Sequence, residues 1–156
     1  MNTLKKLDVF KNTEGVLYNY STLKAEINNI TLDIEELEDN YDGISSIGYE
    51  EKTGPTNKIN DSVSDEIIRR EKTLNKLKHI KRSKERLLLK INNALDSLDE
   101  TERKFIQCRY LNGKKMSWNQ VGAMLNLDPN YLCSYVRPEV INKLSCLIYF
   151  SQKEYL

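Results

Sequence analysis

Residues 117–144 read SWNQVGAMLNLDPNYLCSYVRPEVINKL, and this stretch decides how the carboxy-terminal third folds. Ser117 and Gln120 have the spacing of a capping box, in which each side chain bonds the other residue's backbone N–H at the start of a helix. Asp128 and Pro129 supply an N-cap and a first-turn proline, which together favour the start of a second helix. The stretch therefore predicts two helices joined by a short connection.

The connection between these helices has the residues of a tight turn. Asn126 can adopt the left-handed conformation that ends a helix, and Gly122 allows the two helices to approach closely. We therefore predict a helix-turn-helix, although these spacings alone also fit ordinary helices that pack together without a ligand. Pro138 lacks an amide hydrogen and crowds the preceding turn, so we expect the second helix to kink or end there and to be straight only over about 129–137.

A further helix is predicted immediately upstream. Residues 97–102 contain two overlapping capping-box spacings, which mark a helix start. The two pairs are Ser97 with Glu100 and Asp99 with Glu102. Apolar side chains follow as far as Leu111, and Asn112-Gly113 favours the left-handed turn that stops a helix.

The amino-terminal half carries a coiled-coil pattern. Apolar side chains recur at alternating intervals of four and three at Val16, Tyr20, Leu23, Ile27, Ile30, Ile34, Leu37 and Tyr41. This spacing keeps one stripe of side chains facing a partner helix, and it predicts a helix over about 15–41. We expect a break at 12–15 between that helix and a short one near residues 4–10.

A second long helix is predicted after residues 42–60, which read as a loop because they contain three glycines and a proline. Apolar residues at helical spacing resume over 63–95, so we expect an antiparallel hairpin centred near residue 51 and doubled by dimerisation or higher oligomerisation. The predicted fold class is all-α. A long antiparallel helical (coiled-coil) hairpin occupies 1–96, and a helix-turn-helix DNA-binding domain follows at 97–156.

Composition excludes several classes of protein. Six glycines and three prolines in 156 residues argue against a β-sandwich or barrel. Cys108, Cys133 and Cys146 form neither a disulfide framework nor a CxxC pair, and with one histidine we expect no metal site. The sequence has no phosphate loop, nucleophile elbow or HExxH motif, so we expect no enzyme and no cofactor. Because it has neither a signal-peptide pattern nor a membrane-spanning run, we expect a cytoplasmic location.

Charge is distributed unevenly along the chain. Residues 1–66 carry 6 basic and 14 acidic side chains, 67–95 carry 10 and 2, and 96–156 carry 8 and 7. The predicted hairpin sets the basic residues 69–72 beside the acidic residues 35–39, but it leaves 76–90 facing 13–27, where charges are few. Positive charge left uncompensated at 76–90 indicates an auxiliary surface that binds the phosphates of a nucleic acid. The alternative is a helix face that is simply exposed to solvent.

The chain resembles a known family in two places. Leu98 to Tyr110 (LDETERKFIQCRY) and Met116 to Leu144 resemble the fourth region of bacterial sigma factors. Residues 15–150, including YEEKTGPTNKINDSV and INKLSCLIY, are also similar to sigma-like regulators of Gram-positive prophages, of the ArpU and RinA type. The resemblance implies promoter-DNA binding and control of phage or mobile-element genes. The chain departs from it at Cys133, Ser134 and Tyr135, where such helices often carry Arg or Lys.

Candidate DNA contacts lie on the predicted second helix and beside it. The residues that we expect to contact bases or phosphates are Asn130, Tyr131, Ser134, Tyr135 and Arg137. The residues that we expect to contact phosphate alone are Lys114, Lys115 and Lys143. The expected partner is double-stranded DNA. We expect binding without RNA polymerase, although polymerase contact stays open, because residues 1–96 lack the pattern of a promoter-melting domain. The alternative function is DNA packaging of the small terminase subunit type, which a ring of many subunits would distinguish from a dimer.

Overall fold

Every regular element that the structure describes is helical. The computed structural model describes residues 3–39 and 62–149, with side chains for 8–39 and 66–149. The helices are α1 (Thr3–Tyr18), α2 (Tyr20–Asp39), α3 (Ser62–Asp96), α4 (Glu100–Ile106), α5 (Trp118–Leu125), α6 (Pro129–Tyr131) and α7 (Arg137–Ile148). Two π-helical turns, Gln107–Leu111 and Leu132–Val136, follow α4 and precede α7. These ranges contain no strand, so the predicted all-α class is confirmed, and the predicted loop 42–60 lies outside them. No helix in them has both the length and the apolar character needed to cross a membrane.

The first helix is longer than the sequence predicts. α1 runs through the predicted break at 12–15, and the interruption lies at Asn19, one residue before α2. Thr13 and Leu17 are fully buried, and the Thr13 hydroxyl donates a hydrogen bond to the carbonyl of Val9 at 2.8 Å. The predicted break is therefore wrong, because burial of this face outweighs the turn preference of the local residues.

Contacts group the chain into two compact units. One comprises the residues up to Ala25 together with those from Glu85 onward, and the other comprises Glu26–Lys84. α2 and α3 each contribute residues to both units. This grouping does not decide the functional domains 1–96 and 97–156, which stay a prediction.

The core of the first unit is built by helices from both ends of the chain. α1 packs against α7 and against the π-helical turn Gln107–Leu111, while α5 packs against α4 and α6. The fully buried apolar side chains are Leu17, Ile91, Phe105, Ile106, Val121, Leu132, Val140, Ile141, Leu144 and Ile148. Burying each large one contributes about 1.5–3 kcal/mol, so the amino-terminal helix is an integral part of this core.

In the second unit, two ion pairs join α2 to α3. Lys84 Nζ lies 2.8 Å from Glu26 Oε2, and Lys78 Nζ lies 2.6 Å from Glu38 Oε1. The pairs run in antiparallel order, because the later residue of α2 meets the earlier residue of α3. The predicted register, centred near residue 51, is wrong, because it set all of 76–90 beside 13–27, whereas Lys78 lies beside Glu38.

Candidate functional site

The start of α5 is held by a capping box. Ser117, in extended conformation, accepts a hydrogen bond on Oγ from Gln120 N at 3.3 Å, and Gln120 Oε1 accepts one from Ser117 N at 2.8 Å. At the other end Asn126 has φ 54° and ψ 44°, and its N–H donates to the carbonyl of Gly122. The predicted box and the left-handed residue are both confirmed. They fix where α5 begins and ends.

Gly122 lies against the start of the next helix. A Cβ on Gly122 would stand 2.7 Å from the carbonyl oxygen of Leu127 and 3.0 Å from Pro129 Cγ. The first distance is shorter than real Cβ atoms tolerate, and the backbone oxygen cannot swing away as a flexible side chain could. The close approach predicted at Gly122 is confirmed, and it requires glycine.

The helix that follows is continuous through the predicted kink. Asp128 Oδ1 accepts hydrogen bonds from Asn130 N and Tyr131 N at 2.9 Å each, which caps α6 as predicted. The π-helical turn Leu132–Val136 comes next, and the N–H of Arg137 donates to the carbonyl of Leu132. Pro138 lies in the first turn of α7, directly after the π-helical turn. Of the two outcomes expected at Pro138, a kink or an end, the end is wrong, because the helix continues to Ile148. Regular α-helical geometry is interrupted just before the proline by the wider π-helical turn. We call the stretch 129–148 the reading helix, after the role that we propose for it below.

One side of the reading helix carries a polar and aromatic face. Asn130 and Ser134 are exposed, and the side chains of Tyr131 and Tyr135 are 50% and 68% exposed. The two tyrosine rings stack with centroids 5.8 Å apart and planes 25° apart. We call Asn130, Tyr131, Ser134 and Tyr135 the tyrosine face. The structure brings these four predicted contact residues onto the two turns before Pro138.

Arg137 is engaged within the protein. Its Nε and Nη2 donate to Glu14 Oε1 and Oε2 at 2.8 and 2.9 Å, and its guanidinium lies 5.3 Å from the ring centroid of Phe10. Tyr110 also donates from its hydroxyl to Glu14 Oε1, at 2.6 Å. A bidentate pair of this kind neutralises Arg137 and fixes its position. Arg137 therefore differs from the tyrosine face, which has no such ionic partner among the residues that the structure describes.

The contacts among Glu14, Tyr110 and Arg137 determine the direction in which the pKa values of Glu14 and Tyr110 are shifted. Burial alone would raise the pKa of Glu14, but the hydrogen bonds from Arg137 and Tyr110 and the charge of Arg137 hold that pKa below its ordinary value. Burial and the hydrogen bond to Glu14 raise the pKa of Tyr110 far above its ordinary range. At neutral pH Glu14 is thus a carboxylate that accepts from a neutral phenol and a guanidinium.

The three predicted phosphate-binding lysines have different surroundings. Lys143 Nζ lies 2.7 Å from Glu102 Oε2, and Lys115 Nζ lies 5.5 Å from the ring centroid of Tyr18. Lys114 is exposed and has no ion pair with any residue in the described ranges. Of the three, Lys114 is the most available to an external anion.

The loop that carries Lys114 and Lys115 is anchored by a buried arginine. Arg109 donates from Nη1 to the carbonyl of Met116, and its guanidinium lies 4.3 Å from the Trp118 ring centroid. Trp118 stacks in turn on Phe105, with centroids 6.3 Å apart and planes 14° apart. The stack joins the end of one helix to the start of the next, so it sets where the two lysines emerge. No pattern in the sequence indicates this role for Arg109.

Comparisons with protein-family models, with curated proteins and with solved structures found no match for this chain. Within the residues that the structure describes, no group of three or more His, Cys, Asp and Glu side chains is placed to hold a metal ion. The assignment of a function therefore rests on the geometry of the reading helix and on the charges around it.

Glu14 is a second residue at this site that sequence reasoning missed. It falls in the predicted break at 12–15, and it is one of the few charged residues of 13–27. Arg137 lies 123 residues away, and no periodic pattern joins positions that far apart. The one available signal was a carboxylate beside apolar residues at helical spacing, which is too common to be specific.

Proposed function

We propose that this protein binds double-stranded DNA sequence-selectively, as a regulator of transcription, through a helix-turn-helix formed by α5 and the reading helix. The observation that carries the proposal is the close, capped pair of helices around Gly122, whose second member exposes the tyrosine face. A helix presented in this way fits the major groove of DNA. The early turns of such a helix are the ones that contact base edges.

The chemistry of the tyrosine face suits base reading. The amide of Asn130 can both donate and accept, which matches the bidentate pattern of adenine. The hydroxyls of Ser134, Tyr131 and Tyr135 donate and accept as well, and the tyrosine rings offer apolar contact to thymine methyl groups. Residues 130–136 contain no charged side chain, so attraction to the DNA backbone must come from other positions.

We assign that attraction to Lys114 and to an auxiliary basic surface on α3. This surface consists of Lys76 and Arg82, which lie within Glu26–Lys84, are exposed and form no ion pair with any described residue. The neighbouring Lys78 and Lys84 differ, because glutamates of α2 neutralise them. Mobile unpaired cations suit phosphates, which carry no sequence information.

We further propose that the protein acts as a homodimer joined through Glu26–Lys84. In that unit Ile27 and Ile34, the best-buried apolar side chains, keep 8% and 7% exposure, and no side chain of 66–84 is buried. A second copy would cover the half-exposed apolar residues of α3, as in a four-helix bundle. Because the described part of α2 is mainly acidic and that of α3 mainly basic, a two-fold arrangement that packs α2 of one copy on α3 of the other sets opposite charges side by side.

Selection from a randomised duplex pool by the purified full-length chain tests the proposal. We expect a sequence motif to be enriched, and the affinity for it to fall steeply as salt rises, because bound phosphates release counterions. Absence of enrichment would contradict sequence-selective binding. A ring of many subunits in the same preparation would favour DNA packaging instead.

A further inference from the structure

The carboxylate of Glu14, on α1, binds the reading helix at the point where its π-helical turn meets α7. Glu14 accepts two hydrogen bonds from Arg137 and one from Tyr110, and its side chain is only 16% exposed. Thr13 and Leu17, its neighbours on α1, are fully buried. The pair therefore connects two elements that are already fixed by packing, and it has little freedom to move.

Arg137 occupies the position where the reading helix changes from π-helical to α-helical geometry. Its backbone N–H closes the π-helical turn on Leu132, and the next residue, Pro138, has no N–H to donate. A π-helical turn is less favourable than a regular one, so it persists where surrounding contacts hold it. The same turn carries Ser134 and Tyr135 and thereby sets their direction relative to Tyr131.

We propose that Glu14 is a positioning residue for DNA reading: through Arg137 it holds the π-helical turn Leu132–Val136 in the register that assembles the tyrosine face. This inference rests on the proposed function of that face. On this proposal α1 contributes to DNA recognition without contacting the DNA. The competing account is that Arg137 is itself a phosphate ligand and that Glu14 occupies it in the absence of DNA, which predicts the opposite effect on affinity.

Glu14→Gln tests the inference because it keeps the shape of the side chain and removes its charge. We expect affinity for the selected duplex to fall about tenfold while affinity for random duplex stays unchanged, as for a displaced base contact. Glu100→Gln is the matched control, since Glu100 also pairs with a basic side chain, Lys104, but is exposed. In an Arg137→Gln background, Glu14→Gln should have no further effect, because the two residues act as one unit.

A second measurement needs no DNA. Cys133 lies within the π-helical turn and is partly buried, so its rate of reaction with a thiol reagent reports opening of that turn. In a Cys146→Ser background, which removes the exposed thiol, Glu14→Gln should raise the Cys133 rate severalfold and Glu100→Gln should not. Circular dichroism at the assay temperature confirms that each variant is folded.

The outcomes separate the inference from the function on which it rests. If the wild-type chain selects no sequence, the proposed function fails and the DNA-reading role of Glu14 falls with it, whatever the thiol rates show. If the wild-type chain selects a sequence but Glu14→Gln changes neither the affinity ratio nor the Cys133 rate, the inference alone is overturned. A rise in affinity for both duplexes in Glu14→Gln would instead establish the competing account.

Discussion

Gly122 and Pro129 touch at the point where α5 meets the reading helix: a Cβ on Gly122 would lie 3.0 Å from Pro129 Cγ and 2.7 Å from the backbone oxygen of Leu127. The separation leaves no room for a methyl group. Because one of the two obstacles is backbone, the helices would have to move apart to accept one. The geometry on which the proposed DNA-binding motif depends is thus concentrated at one residue.

We predict that Gly122→Ala destabilises the fold by about 1–3 kcal/mol, the usual cost of overpacking. Gly15→Ala is the matched control, because nothing lies within 4 Å of its Cβ position. At that helical site alanine should stabilise the chain by up to about 1 kcal/mol. Urea unfolding of the two variants measures the sign and size of each change in the free energy of unfolding. Equal effects in the same direction would contradict the close approach at Gly122.

The ion pair of Glu14 predicts a pH dependence of stability. Its pKa in the folded chain lies below the ordinary value of 4.5, so the carboxylate stabilises the fold at pH above 4.5, and that contribution is lost as pH falls through the folded pKa. Glu14→Gln should cost about 1.5–3 kcal/mol at neutral pH, the range for hydrogen bonds to charged groups. The difference from wild type should shrink below pH 4.5. Urea titrations at several pH values check this, and a difference that does not change with pH would refute it.

The proposed homodimer predicts the mass of the protein in solution and the substitutions that should dissociate it. We expect light scattering to report twice the monomer mass at micromolar concentration. Lysine at Leu32 or Ile68, which are 62% and 45% exposed within Glu26–Lys84, should shift the protein toward monomer. Leu89→Lys is the control, because Leu89 is 59% exposed on α3 but belongs to the other unit. A wild-type monomer would contradict the proposal.

Lys114 and Lys143 should contribute differently to the salt dependence of DNA affinity. Lys114→Gln should flatten the slope of log affinity against log salt by about 0.9, the value for one phosphate contact. Lys143→Gln should change it less, because Glu102 already neutralises Lys143. Lys104→Gln, at an exposed lysine of α4 paired with Glu100, serves as the control and should leave the slope unchanged. Identical slopes for all three variants would show that Lys114 does not contact DNA.

Local signals in the sequence predicted local structure well. Ser117, Asn126 and Asp128 act on backbone groups within a few residues, so their capping roles could be inferred without knowledge of the fold. Of the two capping boxes expected at 97–102, only Asp99 with Glu102 forms. Ser97 instead donates from its hydroxyl to the carbonyl of Ala94 at 2.7 Å.

Contacts between distant residues could not be predicted in the same way. A heptad pattern repeats every seven residues, so apolar spacing alone fits several registers of α2 on α3, and the one chosen was wrong. The pairing of Glu14 with Arg137 depends on how α1 packs against α7, which no spacing within either helix encodes. The π-helical turn lies directly before Pro138, which lacks an amide hydrogen, and no periodic pattern in the sequence marks it.

Competition binding with the selected duplex and a scrambled duplex, at two salt concentrations, tests the central claim that the tyrosine face reads DNA. Tyr131→Ala and Tyr135→Ala should lower the ratio of the two affinities, and each lost contact should cost about 1–3 kcal/mol of discrimination. Neutralising Lys76 and Arg82 together should weaken both affinities equally and flatten the salt dependence. If the tyrosine variants lose both affinities equally while the basic variants lose discrimination, the auxiliary basic surface is the reader and the assignment is contradicted.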